Sequence, residues 1–338
     1  MFLHSKISPA FEPFMADSSR DDKCDAIVIF RPPEPKAPRV RGRLRALKAR
    51  LDDVRRRAIA QRPVQQKLYK GYLKASGERP GRRKQEMAMA SIGRNSLPVT
   101  TMEVTRDTLP ALAAQDAVVA ILPNQKIRLL EPKEVDYDRL GRWETTAKLT
   151  WGLKKLGIPE VWQQATGKGV NVAVLDTGVH GEHPALKGRV KQFVVIDPLG
   201  RRIEAKPTFD GADHGTHVCG TIAGGKTPEG VSIGVAPEAN LLVAGVLVGD
   251  ATLRTLVEGI AWAVENGADI ISMSLGFTYY EPLFVTVFES LLDLDVLPVV
   301  AIGNENHGNT SSPGNAHNAL SVGALEKMPR GRYDVAPF

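Results

Sequence analysis

The chain has 338 residues, 43% of them hydrophobic and 24% charged, with a formal net charge of +6. Those proportions belong to an ordinary globular chain long enough to bury a core, which excludes wholesale disorder. Two cysteines, Cys24 and Cys219, are too few for a disulfide scaffold or a cysteine-rich zinc site.

The charge is unevenly spread. Residues 31–95 hold 20 Lys/Arg against 5 Asp/Glu, while the remainder holds 24 against 33. A basic N-terminal section therefore precedes an acidic C-terminal one. There is no apolar run of about 18 residues, so no transmembrane helix is expected. The first residues lack an apolar segment followed by a small-residue cleavage site, so the default location is the cytoplasm.

Residues 1–24 read as a polar, flexible lead. The sequence DAIVIF over 25–30 has the β-branched density of a short buried strand. Residues 31–39 carry prolines at 32, 33, 35 and 38 and read as a loop. Leu44, Leu47, Leu51, Val54 and Ala58 then recur at spacings of three and four, one face of an amphipathic helix. Two strand signals follow, over 87–92 and 98–105. Asp107 is placed to cap a short helix through residue 114, with Thr108 and Pro110 in its first turn. Strand-like runs over 117–122 and 127–130 close the section. The order strand, helix, strand, strand, helix, strand predicts a small α+β unit of ferredoxin-like pattern over 25–132.

Residues 133–150 read as a linker. From 151 to the end the pattern changes: apolar strands at 170–175, 241–247, 269–275 and 296–302 alternate with helical segments. One of these, 253–266, ends at Gly267. This predicts an α/β domain with a doubly wound, mostly parallel sheet over 151–338.

Ligands of such sheets bind beyond the C-terminal strand ends. Asp176 follows the first strand in VAVLDTGV, His214 opens a helix in DHGTHVCGTIAG, and Asn304 follows the last strand in AIGNEN. A carboxylate, an imidazole and a side-chain amide thus leave different elements at one edge. That set suits acyl transfer. A hydroxyl nucleophile needs an imidazole to take its proton, and the imidazole needs a carboxylate to fix its tautomer. The oxyanion needs preorganised donors, and a side-chain amide is one.

VAVLDTGV, DHGTHVCGTIAG, NGADIISMSLG and AIGNEN, in this order, resemble the subtilisin-like serine proteases, or subtilases. TWGLKKLGIPEVWQQATGKGVNVAVLDTGV is similar to the start of the mature enzyme, and the likeness covers roughly residues 149–325. The resemblance implies a serine endopeptidase with Asp176 as orienting carboxylate, His214 as general base and Asn304 as oxyanion donor. It implies that Ser274, Leu275 and Gly276 form an edge pairing with the backbone of a peptide or protein substrate. It also implies that the N-terminal unit, through AVVAILPNQKIRLLEP, is an inhibitory propeptide acting intramolecularly. Many subtilases bind calcium with an Asp in a His-Pro-Asp-Leu-type segment. Here the segment is His183-Pro184-Ala185-Leu186, so no cofactor is expected.

One departure bears on activity. The family's serine lies roughly 157 residues after the histidine, and no Gly-Thr-Ser-Met-Ala-like segment occurs in the sequence. Ser311 and Ser312, shortly after Asn304 and followed by Pro313, read as a surface loop. No nucleophile is assigned. The chain then reads as a proenzyme whose serine lies elsewhere, or as a pseudoprotease that binds peptides without cutting them. Lacking the last elements of the fold, the sheet is expected to leave an apolar edge uncovered.

Two other readings of single features were weighed. His180, His183, His214 and His217, with Cys219 nearby, have spacing compatible with a zinc site. The basic stretch has charge compatible with nucleic acid or an anionic membrane, but its Leu/Val stripe reads as a helix packed on a sheet. Neither a metal, a nucleic acid nor a membrane is the expected partner.

Overall fold

A computed structural model describes residues 5–31, 43–76, 89–93, 95–130, 143–305, 308–327 and 332–336. Residues 32–39 of the expected loop and 133–142 of the expected linker lie outside the described residues.

The strands are β1 Cys24–Phe30, β2 Met89–Ser91, β3 Val99–Val104, β4 Val118–Pro123, β5 Arg128–Leu129, β6 Asn171–Asp176, β7 Val190–Ile196, β8 Arg202–Ile203, β9 Asn240–Gly245, β10 Ile270–Met273, β11 Leu275–Gly276, β12 Leu297–Ala301, β13 Leu320–Val322, β14 Leu325–Lys327 and β15 Tyr333–Val335, the last two forming an antiparallel pair. The main helices are α1 Arg43–Ser76, α2 Thr108–Ala113, α3 His214–Ala223, α4 Leu253–Glu265 and α5 Leu283–Leu292. The chain forms two compact units. One draws on residues 1–126, 252–267 and 282–295, the other on 127–251, 268–281 and 296–338.

The first unit holds a four-stranded antiparallel sheet of order β2-β3-β1-β4, the arrangement of a ferredoxin-like unit. Val28, Phe30, Met102 and Ile121 of the sheet pack with Leu109 of α2 and Leu68 of α1 into one core. The helix α1 runs 34 residues, well beyond the apolar stripe that announced it, and contains Pro63. Its far end earns its place by burying Leu68, Tyr69 and Tyr72. Asp107 does not cap α2 with its side chain. Instead the Thr105 amide donates to Thr108 Oγ1 (2.8 Å) and the Thr108 amide to Thr105 Oγ1 (3.2 Å).

Charges on α1 reach the ends of α4 and α5 within the same unit. Arg50 donates to the carbonyls of Gly267 (3.2 Å) and Asp295 (3.0 Å), just past the two helix C-termini. A cation there meets the orphan carbonyls and the negative end of the helix dipole. Arg57 and Asp53 form a buried pair at 2.9 Å on α1 itself.

The second unit holds a seven-stranded sheet of order β13-β12-β10-β6-β9-β7-β8. All neighbours are parallel except β7 and β8. β6 and β9 are apolar along almost their whole length because a central parallel strand is covered on both faces. Val174, Leu241 and Val243 pack with Cys219 and Ala223 of α3 and with Leu186. β13 is the outer strand, and its Leu320 and Val322 are 50% and 51% exposed.

Candidate active site

The site is built where β6 ends. Asp176 is the last residue of that strand and is fully buried. Its backbone carbonyl accepts from the amides of Val246 and Leu247, which ties the strand end to the loop after β9. Its Oδ1 accepts from the Thr177 amide (2.7 Å) and pairs with Nδ1 of His214 (2.8 Å). Among the described residues Asp176 Oδ2 has no hydrogen-bond partner.

His214 is the first residue of α3, and two glycines bring that helix against β6. A Cβ on Gly215 would lie 2.1 Å from the Gly178 carbonyl oxygen. Gly178 has φ +125°, and a Cβ there would lie 2.2 Å from the Phe209 carbonyl oxygen. Only hydrogen fits at either position.

The helix is capped from an unexpected place. Asp213, the residue before it, has φ 61° and makes no side-chain cap. Asp210 caps instead: its Oδ2 accepts from the Thr216 amide and hydroxyl, and its Oδ1 from the Thr177 hydroxyl and the Ala212 amide. Thr177 Oγ1 in turn accepts from the Gly215 amide at 3.0 Å. The neighbours of both Asp176 and His214 are therefore held by one carboxylate. Burial pushes the Asp210 carboxyl up, but the bonds from Thr177, Thr216 and Ala212 outweigh it and hold it below the usual carboxylate range. Sequence reasoning missed this group, although a Thr two residues past the helix start and an acid six residues before that Thr are capping chemistry.

Asn304 lies in the loop that leaves β12, at the C-terminal end of the sheet from which Asp176 also leaves, and is half-buried. Ser274 joins β10 to β11. β11 is already paired: Leu275 and Gly276 run antiparallel to Leu129 and Arg128 of β5, and the Leu130 amide donates to the Ser274 carbonyl (3.2 Å). The chain thus lays an extended segment of its own on the edge formed by Ser274, Leu275 and Gly276.

The surface loop expected at Ser311 and Ser312 is corrected by the structure: both are fully buried. Ser312 exchanges two backbone bonds with Phe277, accepts from the Glu281 amide at its Oγ (2.8 Å) and donates from it to Asn315 Oδ1 (2.7 Å). Turn-forming residues mark a change of direction, and here the turn is drawn inward by that ladder and by Gly276, whose missing Cβ lets the Ser312 carbonyl approach.

Among the described residues no group of three or more His, Cys, Asp and Glu side chains gathers as a metal would require. At the third position of the 183–186 segment Ala185 has no side-chain oxygen, and its carbonyl accepts from the Gly225 amide at 2.8 Å. Cys219 is buried, and desolvation first, then the charges of Asp176 and Asp210, push its thiol up. Among the described residues no helix is long and apolar enough to cross a membrane.

The Peptidase_S8 model, described as the subtilase family, matches residues 167–336, which carry Asp176, His214 and Asn304. The chain belongs to the subtilase family. It is 36% identical over 203 residues to the intracellular serine protease of Paenibacillus polymyxa, covering 56% of this chain and 60% of that protein. It is 38% identical over 190 residues to the major intracellular serine protease of Bacillus subtilis, covering 53% and 58%. With the minor extracellular protease Vpr of B. subtilis it shares 32% identity over 248 residues, covering 70% of this chain and 30% of that protein. This subtilase therefore spans between 30% and 60% of the length of those relatives. In fold it is similar to fervidolysin from Fervidobacterium pennivorans, a keratinolytic enzyme related to subtilisin. The TM-score is 0.63 at 23% identity, over 95% of this chain and 46% of that one.

Proposed function

We propose that this subtilase is a serine endopeptidase made as a proenzyme, cutting peptide or protein substrates. The observation that carries the reading is the 2.8 Å bond between His214 Nδ1 and Asp176 Oδ1, made inside the region matched by the family. Asp176 fixes the tautomer and stabilises the imidazolium. With Nδ1 committed to Asp176, Nε2 is the basic nitrogen that takes the proton of an attacking hydroxyl and returns it to the leaving amine. Asn304 donates to the oxyanion. In subtilisin itself, which supplies the magnitude, such a donor is worth about 3–4 kcal/mol. The reading assigns the nucleophile to no residue between 1 and 338. Ser311 and Ser312 are excluded as candidates by their burial.

In the same reading residues 25–132 are the propeptide and β5, near their end, is the inhibitory arm. Pairing on β11 occupies the edge that a substrate backbone needs. That pairing also favours a second reading, a pseudoprotease that docks peptides without chemistry, because β addition needs no nucleophile.

The test compares two proteins against a fluorogenic peptide, with and without a serine-directed covalent inhibitor. One is the 338-residue chain. The other extends it through the reading frame downstream of codon 338. We expect no turnover from the first, since loss of the serine costs on the order of 10⁶ in kcat in subtilisin. We expect inhibitor-sensitive turnover from the second. Inhibitor-sensitive turnover by the 338-residue chain overturns the assignment of the nucleophile. Peptide binding without turnover in both establishes the second reading.

A further inference from the structure

We propose that the exposed side of α1 binds double-stranded nucleic acid through its phosphates, without reading sequence. The inference stands apart from the protease reading and does not need it.

Charge and burial divide the helix lengthwise. Residues 54–76 hold seven Lys and Arg and no Asp or Glu. One of the seven, Arg57, is spent inward on Asp53. The other six, Arg55, Arg56, Arg62, Lys67, Lys70 and Lys74, are exposed. On one continuous helix they fall within a wedge of about 140° and along about 28 Å. Val54, Leu68 and Tyr72 are buried and lie on the opposite side. The apolar stripe that packs the helix therefore does not account for these cations. Of the six, only Arg55 and Arg56 have an acidic partner among the described residues, Asp52 at 3.6 Å and Asp53 at 3.1 Å. With side chains 78% and 58% exposed, both stay available to an anion in solution.

What this side lacks selects the partner. Protein interfaces centre on aromatic and apolar side chains, and helices on a membrane surface dip an apolar face into it. Among the described residues Ile59 is the one large exposed hydrophobic on α1. Single strands stack their bases on exposed rings, and Tyr69 and Tyr72 are buried at 7% and 5% exposure. Recognition is left to charge alone. A flexible acidic chain loses entropy when it is laid along a straight helix. A duplex is already stiff over about 500 Å and presents one charge per about 1.7 Å. A wedge of that width cannot face one surface in full, so about four of the six cations reach phosphates at once.

The experiment follows the anisotropy of a labelled DNA duplex of about 24 base pairs titrated with the 338-residue chain at several salt concentrations. Four phosphate contacts give a slope of log affinity on log salt of about −3.6, and a loss of about 150-fold between about 50 and 200 mM. The triple variant Arg55→Gln, Arg62→Gln, Lys70→Gln is expected to bring the slope to about −1. A control triple, Lys168→Gln, Lys187→Gln, Lys226→Gln in the second unit, changes the net charge equally and is expected to leave the slope as it was. Lys67→Gln with Lys74→Gln repeats the test if the first variant does not fold. No binding at about 50 mM salt overturns the inference. Equal losses in the α1 and control variants also overturn it, since net charge alone would then explain the binding. Unlabelled single strand, polyglutamate, or vesicles with about 30% phosphatidylserine, competing as well as unlabelled duplex at equal charge, overturn the choice of partner.

Discussion

One carboxylate oxygen of Asp210 takes both the amide and the hydroxyl of Thr216, each at 2.6 Å. The other takes the hydroxyl of Thr177, the residue after Asp176. Asp210 is therefore the joint between the strand that ends in Asp176 and the helix that starts at His214. Replacing it with Ala removes a helix cap and leaves the Thr177 hydroxyl without its acceptor. The expected loss is about 1–3 kcal/mol. Urea unfolding measures it, and the NMR resonance of the His214 Nδ1 proton reports whether the pair with Asp176 survives. An unchanged midpoint and an unchanged resonance would remove Asp210 from the architecture of the site.

The same group gives an acid dependence. A carboxylate held below its ordinary value contributes stability that is present above that value, 3.8, and is lost as pH falls through the lower folded value. The native chain is therefore expected to lose stability below about pH 4 more steeply than Asp210→Asn. Parallel acid titrations of the two proteins would contradict this.

Gly215→Ala pits two effects against each other. Alanine gains about 1 kcal/mol in a helix over glycine. Here its Cβ would sit 2.1 Å from the Gly178 carbonyl oxygen, a backbone atom that cannot rotate away. The clash wins, and we expect a net loss of about 1–3 kcal/mol with displacement of His214 from Asp176. A melting temperature at or above that of the native chain would show that the approach of α3 to β6 is looser than described.

Ser311 and Ser312 offer a paired contrast. Ser312 Oγ serves the buried Glu281 amide and the half-buried Asn315, so Ser312→Ala removes the acceptor of that buried amide and costs about 1–3 kcal/mol. Ser311 Oγ is buried with no hydrogen-bond partner among the described residues, so Ser311→Ala is expected to be neutral or stabilising. Equal destabilisation by the two substitutions, in chemical denaturation, would disprove the distinction.

In the first unit, Arg57 and Asp53 have side chains 6% and 5% exposed. Arg57→Met leaves the Asp53 carboxylate only its bond from Arg56 and should cost about 1–3 kcal/mol. Asp53→Leu leaves the buried Arg57 guanidinium without its nearest carboxylate and should cost about 3–5 kcal/mol, and the double change should cost less than Asp53→Leu alone. A double-mutant cycle on α1 checks the order.

The strands were legible wherever one composition served one environment. The run DAIVIF became β1 because both its faces are buried, and VNVAVL became β6 for the same reason. Asp176 and His214 were legible because they sit at element ends, where a polar residue after an apolar run stands out. β7 was not announced by its sequence: Val190, Lys191 and Gln192 are partly or fully exposed, and only its second half is buried. The second half of α1 was hidden by Pro63 and by glutamines, and is held by tertiary burial of Leu68 and Tyr72. The Asp210 joint and the buried place of Ser312 escaped for a common reason. The Thr177–Asp210 and Glu281–Ser312 bonds join residues brought together by the fold, and no local pattern encodes a partner 33 or 31 residues away; only the Asp210–Thr216 cap has a local signature.

Cys219 lies on α3, five residues beyond His214, sealed in the core and held as the protonated thiol. Alkylation needs both a thiolate and access, so iodoacetamide will modify this sulfur only in molecules whose second unit has opened. Cys24, half-buried in the first unit, gives a separate count. Because Cys24 is partly accessible in the folded chain, its label is an internal reference, and the ratio of the two over time records the opening of the second unit alone.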